Sequence, residues 1–382
     1  MKKPTFCLVL LCVLFLSVGC NSSKNSSGLK DLIVFNYTDN FPASDITLED
    51  LADIEYLPLS MSDGFLLAGS MNNEGGGISI TDKNILIRDS DGRSILIYDR
   101  SGNPVSKISR YGRGPEEYTY LTQFEVNSKG DEIIIYDSSR KQALFFDIEG
   151  KFKRIIPIIE RTGRIKLLDD NKILCINHTL DFPYSIISGE DGSLIKDLPI
   201  KFPLQHKHDQ HGRLAYSNFT NSTRGNMLFD LRTDTIYLVD KKLNVIPAIT
   251  DNSRYPSNDE LYNADNAQLY PTMDTDKYTL FYLLSSPWIT PDVKMEFYIY
   301  DKKSGQMSKL KQTDSPYDPL ALTNGYCNLL SRNRSNTPGI ATHMLPADLL
   351  INNKEKLKGE LLEITNKLKE EDNPVLMIMR FK

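Results

Sequence analysis

A repeat of 48 residues in the first half of the chain constrains the fold more than any other feature. The stretch ILIRDSDGRSILIYDRSGN, which begins at Ile85, aligns without gaps with IIIYDSSRKQALFFDIEGK, which begins at Ile133. Internal repeats of this length indicate a fold built from similar small units. The positions that recur are two aspartates ten residues apart and a following glycine: Asp89, Asp99 and Gly102; Asp137, Asp147 and Gly150; and, in weaker or partial copies, Gly192, then Asp230 and Asp240, then Asp301 and Gly305.

Each unit has the composition of a small antiparallel sheet. The runs ILIRD and SILIYD are short and rich in β-branched and aromatic residues, which favour strands. The polar stretch DSDGR between them predicts a hairpin connection, and Gly102 can take a positive φ in the turn after the second run. Units of 40 to 50 residues with about four strands are typical of propeller blades, which bury both faces by packing against each other.

Counting the units gives the fold class. Five blades end near Asp99, Asp147, Gly189, Asp240 and Asp301. A sixth blade is predicted from both ends of the chain, where IEYLPLS (54–60) and NPVLMIMRF (373–381) read as strands that pair and close the ring. The sequence therefore predicts an all-β, six-bladed β-propeller of four-stranded antiparallel blades over residues 46–382, closed by the N- and C-terminal strands.

One segment departs from the strand pattern. Between residues 346 and 371, apolar side chains recur at three-, four- and seven-residue steps, which predicts one amphipathic helix inserted in the last blade. Pro346 is acceptable in its first turn. We expect this helix to cover one face of the ring, and a partner-binding helix is the alternative. The apolar residues are Leu350, Leu357, Leu361, Ile364 and Leu368.

The N-terminus has the pattern of a lipoprotein signal peptide at residues 1–19. Lys2 and Lys3 precede a 13-residue apolar run, which is too short to span a bilayer comfortably. The run ends in LSVGC, which resembles a bacterial lipobox and implies lipid attachment at Cys20. Residues 20–45 are predicted to be a flexible tether. We expect an outer-membrane lipoprotein on the periplasmic side or the cell surface; the alternative is ordinary cleavage with a soluble product.

Charge argues against one class of partner, and the cysteine content limits the possible disulfides. The net charge is −5, and no basic stripe is present, so a nucleic-acid partner is not expected. After removal of the signal peptide and acylation of Cys20, only Cys175 and Cys327 remain. Their distance in sequence and their apolar neighbours favour two buried, unpaired thiols, although a disulfide is the alternative in an oxidising periplasm.

The chain resembles the six-bladed β-propeller lipoproteins of Gram-negative gut-type bacteria, which are distantly like NHL-repeat propellers. The resemblance rests on the loop GRGPEEY, the paired blade ends with aspartate and glycine, the late helix and the terminal NPVLMIMRF. It extends over essentially the whole mature chain. It implies the propeller fold but no particular activity, because no function is established for that family.

The loop YGRGPEEY, residues 111–118, is the most site-like motif. It lacks the lysine and the following helix of a phosphate-binding loop, and the adjacent Glu116 and Glu117 would point to opposite faces of an extended chain. We expect a connector between blades, with Tyr118 packed inward. In the alternative, Arg110, Arg113 and Glu116 contact a ligand at the channel mouth.

Other candidate residues carry weaker signals. HKHDQH contains His206, His208 and His211, and the first and second would share one face of a strand, a spacing that can chelate a metal. An exposed polar loop is the simpler interpretation, so we expect no cofactor. Separated carboxylates could line the channel, and Trp288 could stack against a sugar. The carboxylates considered are those of Asp137, Asp181 and Asp230.

These observations predict a binding or scaffold module. No nucleophile elbow, metal-ligand set or acid/base pair is recognisable, so no catalytic residue is assigned. We expect a membrane-anchored propeller that recognises a glycan, a peptide or a protein partner. The alternative is a propeller hydrolase or lyase that uses channel-lining carboxylates, with or without a metal.

Overall fold

The computed structural model describes residues 32–36, 38–67, 77–89, 91–177, 182–200, 217–230, 233–251, 267–285, 294–313, 318, 320–327 and 335–382. Several of the predictions lie outside these residues: the predicted signal peptide, Cys20, the three histidines at 206, 208 and 211, Asp181 and Trp288. The described part of the chain is mostly β-structure, arranged as small sheets in a propeller-like manner. No helix in this part is long and apolar enough to cross a membrane.

The strands of the described residues follow one another with short connections. In chain order they are β1 (Ile33–Phe35), β2 (Ala43–Ser44), β3 (Ala52–Pro58), β4 (Ile78–Ile80), β5 (Asn84–Arg88), β6 (Ile95–Asp99), β7 (Pro104–Ile108), β8 (Gln123–Val126), β9 (Glu132–Asp137), β10 (Gln142–Asp147), β11 (Phe152–Pro157), β12 (Thr162–Leu168), β13 (Lys172–Asn177), β14 (Tyr184–Ser188), β15 (Leu194–Asp197), β16 (Ser217–Ser222), β17 (Gly225–Asp230), β18 (Thr235–Asp240), β19 (Val245–Asp251), β20 (Ala267–Asp274), β21 (Tyr278–Ser285), β22 (Lys294–Asp301), β23 (Gln306–Leu310), β24 (Ile340–Leu345) and β25 (Val375–Phe381). The helices are α1 (Leu48–Leu51), α2 (Ala347–Asn352) and α3 (Gly359–Thr365).

Three repeat units form separate four-stranded antiparallel sheets, as the sequence predicts. These sheets are β4–β7, β8–β11 and β12–β15, each in chain order. The recurring glycine lies in the turn before the last strand, with φ of +81° at Gly102 and +77° at Gly192. A Cβ on either glycine would lie 2.3 Å from a carbonyl oxygen of the preceding sheet, at Pro58 or Pro157. The recurring residue is therefore glycine for two reasons: its φ is positive, and the neighbouring sheet leaves no space for a side chain.

The two ends of the chain meet in one sheet. β25 pairs antiparallel with both β24 and β3, and Met377 lies opposite Tyr56 in the second pair. This confirms the predicted pairing of the N- and C-terminal strands. The closing sheet has three strands in the described residues, whereas the sequence predicts four.

The remaining strands form one ten-stranded sheet rather than two separate blades. It contains two antiparallel runs, β16–β19 and β20–β23, which are joined by a single parallel pair between Ser222 and Asp274. β1 adds in parallel to β19, and β2 adds in parallel to β23. The described residues thus form four small sheets and one ten-stranded sheet, and six equal blades are not resolved as separate sheets.

The first ordered strands differ from the predicted tether. Residues 20–45 are predicted to be flexible, but within this range β1 and β2 belong to the ten-stranded sheet. Phe35 is fully buried, and its ring lies 5.3 Å from that of Phe281 and 5.2 Å from that of Tyr298. The apolar residues of a three-residue strand are too few to be recognised by periodicity, which explains the misplaced boundary.

The predicted helix at 346–371 is interrupted. α2 ends at Asn352, one 3₁₀ turn follows at Lys354–Lys356, Leu357 is extended, and α3 begins at Gly359. Gly359, the first residue of α3, has a φ of +55°, so a right-handed helix cannot run through it from the preceding residues, and asparagine and glycine are weak helix formers. The predicted apolar face is nevertheless buried, because Leu350, Leu357 and Leu361 are at most 6% exposed. The spacing identified the buried side chains but overestimated the length of the helix.

Hydrophobic clusters lie between consecutive sheets, as expected for packed blades. Successive residues of β5 alternate between two of them: Ile85 packs towards the closing sheet, and Leu86 packs towards β8 and β9. Cys175 and Cys327 belong to different clusters and are both unpaired and buried. Burial raises the pKa of both thiols to about 12, so they are protonated and unreactive at neutral pH. The expectation of two buried thiols is confirmed.

Candidate functional site

The YGRGPEEY loop connects the last strand of one sheet, β7, to the first strand of the next, β8. Tyr118 is fully buried, and its hydroxyl donates a hydrogen bond of 2.6 Å to the carbonyl oxygen of Arg93. The backbone N–H of Gly112 donates to the carbonyl of Tyr118, and that of Tyr118 donates to the carbonyl of Arg110. These bonds close the loop on itself, as predicted for a connector.

The two glycines of this loop make room for a carboxylate. The N–H of Gly114 donates to Oε2 of Glu117 at 2.7 Å, and a Cβ on Gly112 would lie 2.0 Å from the same oxygen. Arg140 from the neighbouring hairpin donates to the carbonyls of Gly114 and Glu117. Glu117 therefore shapes the turn and is not free to act on a ligand.

The three candidate ligand residues of the loop are exposed to solvent. Arg110, Arg113 and Glu116 are all exposed, and no hydrogen bond from their side chains brings them together. The loop precedes β8, whereas a recess of about 330 Å³ lies at the far end of that strand. Their proposed ligand role stays a prediction, and it does not belong to the recess.

One segment of the chain, Ser335–Pro338, contacts the first strands of the three four-stranded sheets and the first strand of the β16–β19 run. We call it the axial segment. The Thr337 hydroxyl accepts from the N–H of Ile80 at 3.0 Å and donates to its carbonyl at 2.8 Å. Side chains from β12 and β16 hold the axial segment by its carbonyls: Lys166 donates to that of Asn336, and Asn221 donates to that of Ser335. Because strands from different sheets reach the same few residues, these strands line a common axis.

A buried ion pair lies directly behind the axial segment. Nζ of Lys166 lies 2.9 Å from Oε2 of Glu125, and both side chains are at most 8% exposed. Gln123 donates to Oε1 of Glu125 at 2.8 Å. Burial raises the pKa of Glu125, while Lys166 opposes this effect. The Glu125 carboxylate is thus held at the axis by the Lys166 ammonium and by the Gln123 amide.

Sequence analysis did not identify this pair, although a signal for it exists. Gln123 and Glu125 occupy alternate positions of β8, and Lys166 interrupts the apolar residues of β12. Alternate residues of a strand point to one face, so polar residues inside apolar strands indicate a polar axis. The repeating aspartates lie at or just after the end of the second strand and at the end of the third strand of the aligned units, whereas Gln123, Glu125 and Lys166 lie in first strands, which the alignment does not cover.

The axial recess is a cavity of about 330 Å³ at the ends of the first strands. It is lined by residues 79–82, 126–129, 166–169 and 336–338. A second cavity of about 150 Å³, which we call the side cavity, shares Lys166–Asp169 and Pro338 with it and extends towards Asn226 and Asp240. Pro338 of the axial segment therefore belongs to the walls of both cavities.

The lining of the axial recess combines both charges with polar and apolar groups. Asp82 and Asp169 contribute carboxylates, and Lys129 and Lys166 contribute ammonium groups. Among the described residues, no group of three histidine, cysteine, aspartate or glutamate side chains could hold a metal ion. The arrangement can bind a polar molecule, but in the described lining no histidine accompanies the carboxylates.

The carboxylates predicted to line the channel lie elsewhere. Asp137 is fully buried at the end of β9, where it accepts hydrogen bonds from Thr119 at 2.7 Å (N–H) and 3.0 Å (hydroxyl) and from Ser139. Burial alone would raise its pKa, but these bonds hold it below the ordinary value. Asp230 is buried at the end of β17. Asp137 therefore anchors the connector, and neither residue lines the recess.

Comparison with known proteins places the chain in a family. A family profile described as a domain of unknown function (DUF4934) matches residues 32–380. The chain belongs to this family. No curated protein matches the DUF4934 chain. The description of the family names neither a blade number nor an activity.

Solved structures similar to this DUF4934 chain are distant in sequence. A Bacteroides fragilis protein described as exported aligns with a TM-score of 0.64 and 17% identity, over 92% of this chain and 99% of that one. A DUF4221 family member from Bacteroides vulgatus aligns with a TM-score of 0.48 and 11% identity, over 68% and 86% of the two chains. Virginiamycin B lyase from Staphylococcus aureus aligns with a TM-score of 0.39 and 10% identity, over 69% and 90%. The first similarity supports a shared fold.

Proposed function

We propose that this DUF4934 protein is an exported, lipid-anchored propeller that binds a polar ligand in the axial recess. The observation that carries the proposal is the recess itself. Turns from three different sheets converge on it, the axial segment closes it from behind, and a buried ion pair supports that segment. Small-molecule sites are concave and largely preformed, and they combine apolar surface with polar groups that orient the ligand. This recess is concave and combines five apolar with ten polar or charged residues, which suits a polar ligand.

The proposal includes six blades. Each antiparallel run of the ten-stranded sheet contains four consecutive strands, as do the three separate sheets, and the two runs meet at one residue pair. If the two runs are counted separately, they and the closing sheet bring the ring to six. β1 and β2 then cover the outer edges of two blades, which protects those edges from pairing with another chain.

Binding is favoured over catalysis by the composition of the recess. A propeller hydrolase or lyase would place carboxylates and a general acid or base around the reacting bond. In the described lining, Asp82 and Asp169 are accompanied by lysines, and the buried Glu125 is paired with Lys166. This arrangement supports ligand recognition better than proton transfer.

The lipid anchor is supported by the N-terminal pattern and by the span of the family match. The match begins at residue 32, so Cys20 precedes the folded domain by a short linker. Cys20→Ala is expected to abolish labelling by an alkyne fatty acid and to move the protein from the membrane fraction to the soluble fraction. Ser22→Ala in the same linker is the matched control and should stay labelled. An acyl-labelled Cys20→Ala protein would contradict the anchor.

Blocking the recess should abolish binding without unfolding the protein. Ser128 is exposed on the wall of the axial recess, and its side chain has no hydrogen-bond partner in the described residues. Ser128→Trp fills the cavity and is expected to weaken ligand binding at least tenfold. Its free energy of unfolding should change by less than about 0.5 kcal/mol, as for other exposed positions.

The measurement is native mass spectrometry of the purified domain after incubation with an extract of its native cell envelope. A bound mass should appear with the wild type and disappear with Ser128→Trp. Ser101→Trp, an exposed serine in a hairpin turn outside both cavities, is the matched control and should bind like the wild type. Equal binding by both tryptophan variants would show that the ligand lies elsewhere.

A further inference from the structure

The polar groups of the axial recess divide into those already used by the fold and those left for a ligand. Three side chains of the lining already form hydrogen bonds with backbone groups of the protein: those of Thr81, Asn127 and Thr337. Lys166 donates to Glu125 and to the Asn336 carbonyl, which leaves one of its three protons. In the described residues, the other uncommitted side chains of the lining are those of Ser79, Asp82, Ser128, Lys129 and Asp169.

From this set we infer that the ligand of the axial recess is a neutral saccharide. The inference rests on the proposed function and names the ligand class for the same site. The uncommitted groups include carboxylates that only accept, ammonium groups that only donate, and serine hydroxyls that do both. Adjacent sugar hydroxyls both donate and accept, so one ring can satisfy all three kinds of group at once.

Two buried polar atoms mark the walls where ligand hydroxyls are expected. Within the part of the chain that the structure describes, Oγ of Ser79 and Oδ1 of Asn226 have no hydrogen-bond partner, and their residues are 2% and 8% exposed. Ser79 lines the axial recess, and Asn226 lines the side cavity. Because nearly all buried polar atoms in folded proteins are hydrogen-bonded, each is a place for a ligand group or a water that the ligand displaces.

The charge of the recess disfavours an anionic ligand. The two carboxylates of the lining balance its two ammonium groups, and the carboxylate of Glu125 lies 2.9 Å behind one of them. No positive charge is in excess, so a phosphate or a uronic acid would meet carboxylates without a compensating cation. A neutral polyhydroxyl ligand has no such cost.

A peptide ligand is disfavoured because the strand edge it would need is occupied. Peptides commonly bind by adding a strand to an exposed edge. At the axis, the N–H of Asn336 donates to the carbonyl of Ile78, and the Thr337 hydroxyl bonds both backbone groups of Ile80. The axial segment therefore already covers this edge of β4. The apolar surfaces that remain, Leu167 and Pro338 among them, suit the C–H face of a sugar ring.

The test is titration calorimetry of the purified domain with three defined panels of probes. These are neutral gluco-, manno- and galacto-oligosaccharides of two to four units, oligogalacturonates of the same lengths, and tripeptides. Saturable binding of at least one neutral probe is expected. Asp82→Asn and Asp169→Asn should each weaken it about tenfold or more, since each removes a charged acceptor. Lys83→Met, in the same turn as Asp82 but outside the lining, should stay within about twofold of the wild type.

The outcomes separate this inference from the function on which it rests. Stronger binding of oligogalacturonates or tripeptides, abolished by Ser128→Trp, would overturn the saccharide class and leave the binding site in place. Absence of binding by every neutral probe at millimolar concentration would also overturn the saccharide class. Binding of neutral probes that Ser128→Trp does not affect would overturn both the site and the inference.

Discussion

Lys166→Met is expected to lower the free energy of unfolding by about 3–5 kcal/mol, because it leaves a buried charge without its partner. Glu125 is 1% exposed. After the substitution the Gln123 amide would remain its hydrogen-bond donor in the described residues, and the charge of Arg164 would still favour the carboxylate. The axial segment loses a hydrogen bond as well, since Lys166 also donates to the carbonyl of Asn336. Chemical denaturation followed by fluorescence or circular dichroism measures the loss.

The double variant Glu125→Gln/Lys166→Met separates the unpaired charge from lost packing. Replacing both members of a buried pair is often nearly neutral, so the double variant should recover most of the stability that Lys166→Met loses. Lys153→Met is the matched control: Lys153 pairs with Glu132 at 3.3 Å and is 39% exposed, so its loss should cost less than about 1 kcal/mol. A double variant as unstable as Lys166→Met would show that packing, and not charge, dominates.

The defect of Lys166→Met should also depend on pH. Burial already raises the pKa of Glu125 above its ordinary value of 4.5, and the substitution removes the lysine that opposes this shift. A raised pKa in the folded state stabilises the fold below the ordinary pKa, and this stabilisation is lost as the pH rises through the folded pKa. The difference from the wild type should therefore shrink as the pH falls from neutral towards 4.5. A difference that is constant with pH would contradict the role of Glu125.

The parts of the fold that could be predicted from sequence are those with a repeating local pattern. The aspartate and glycine spacing identified three complete sheets, because Gly102, Gly150 and Gly192 all occupy the same turn with positive φ. The pairing of the two chain ends followed from two clear apolar runs and the need to close the ring. The buried leucines at 350, 357 and 361 followed from helical spacing, even though the helix is broken.

The candidate site could not be predicted in the same way, because it is assembled from residues far apart in sequence. Lys166 and Asn336 are 170 positions apart, and neither lies in a motif. The glycines of YGRGPEEY resembled those of a ligand-binding loop. In the structure they leave room for the carboxylate of Glu117, in a turn at the other end of β8 from the recess. The glycines of that loop are explained by its tight backbone. The recess depends on how the first strands meet at the axis, which no local motif encodes.

A second buried charge cluster joins the two runs of the ten-stranded sheet. Asp274 is fully buried, and its carboxylate contacts the Lys302 ammonium at 2.7 Å and the Arg224 guanidinium at 3.1 Å. Ser222 and Thr279 donate to the same carboxylate at 2.5 and 2.7 Å. Ser222 ends β16, Arg224 lies in the turn that follows, and Asp274 ends β20. The cluster therefore lies at the only point where the two runs pair in the described residues.

Asp274→Asn is expected to lower the free energy of unfolding by about 3 kcal/mol at neutral pH, the lower end of the range for a broken buried pair. The cost is at the lower end because Arg224 keeps 30% of its side chain exposed and can retain some hydration. Asp276→Asn, two residues away, is the matched control: Asp276 is exposed and accepts one hydrogen bond from Thr223, so its loss should cost about 0.5 kcal/mol or less.

The pH dependence of this second variant should oppose that of Lys166→Met. Burial alone would raise the pKa of Asp274, but Lys302 and Arg224 outweigh it and hold the pKa below its ordinary value of 3.8. A lowered pKa in the folded state stabilises the fold above the ordinary pKa, and this stabilisation disappears as the pH falls through the folded pKa. Protonation of Asp274 at acid pH should remove this stabilisation from the wild type, so the wild type and Asp274→Asn should converge in stability below pH 3.8.

At alkaline pH the titrating group is Lys302. Burial lowers the pKa of Lys302, although Asp274 opposes this shift, so Asp274→Asn should regain stability as Lys302 loses its proton. A stability difference that is the same at acid, neutral and alkaline pH would show that Asp274 acts through its shape and hydrogen bonds alone, and the ionic junction between the two runs would then be wrong.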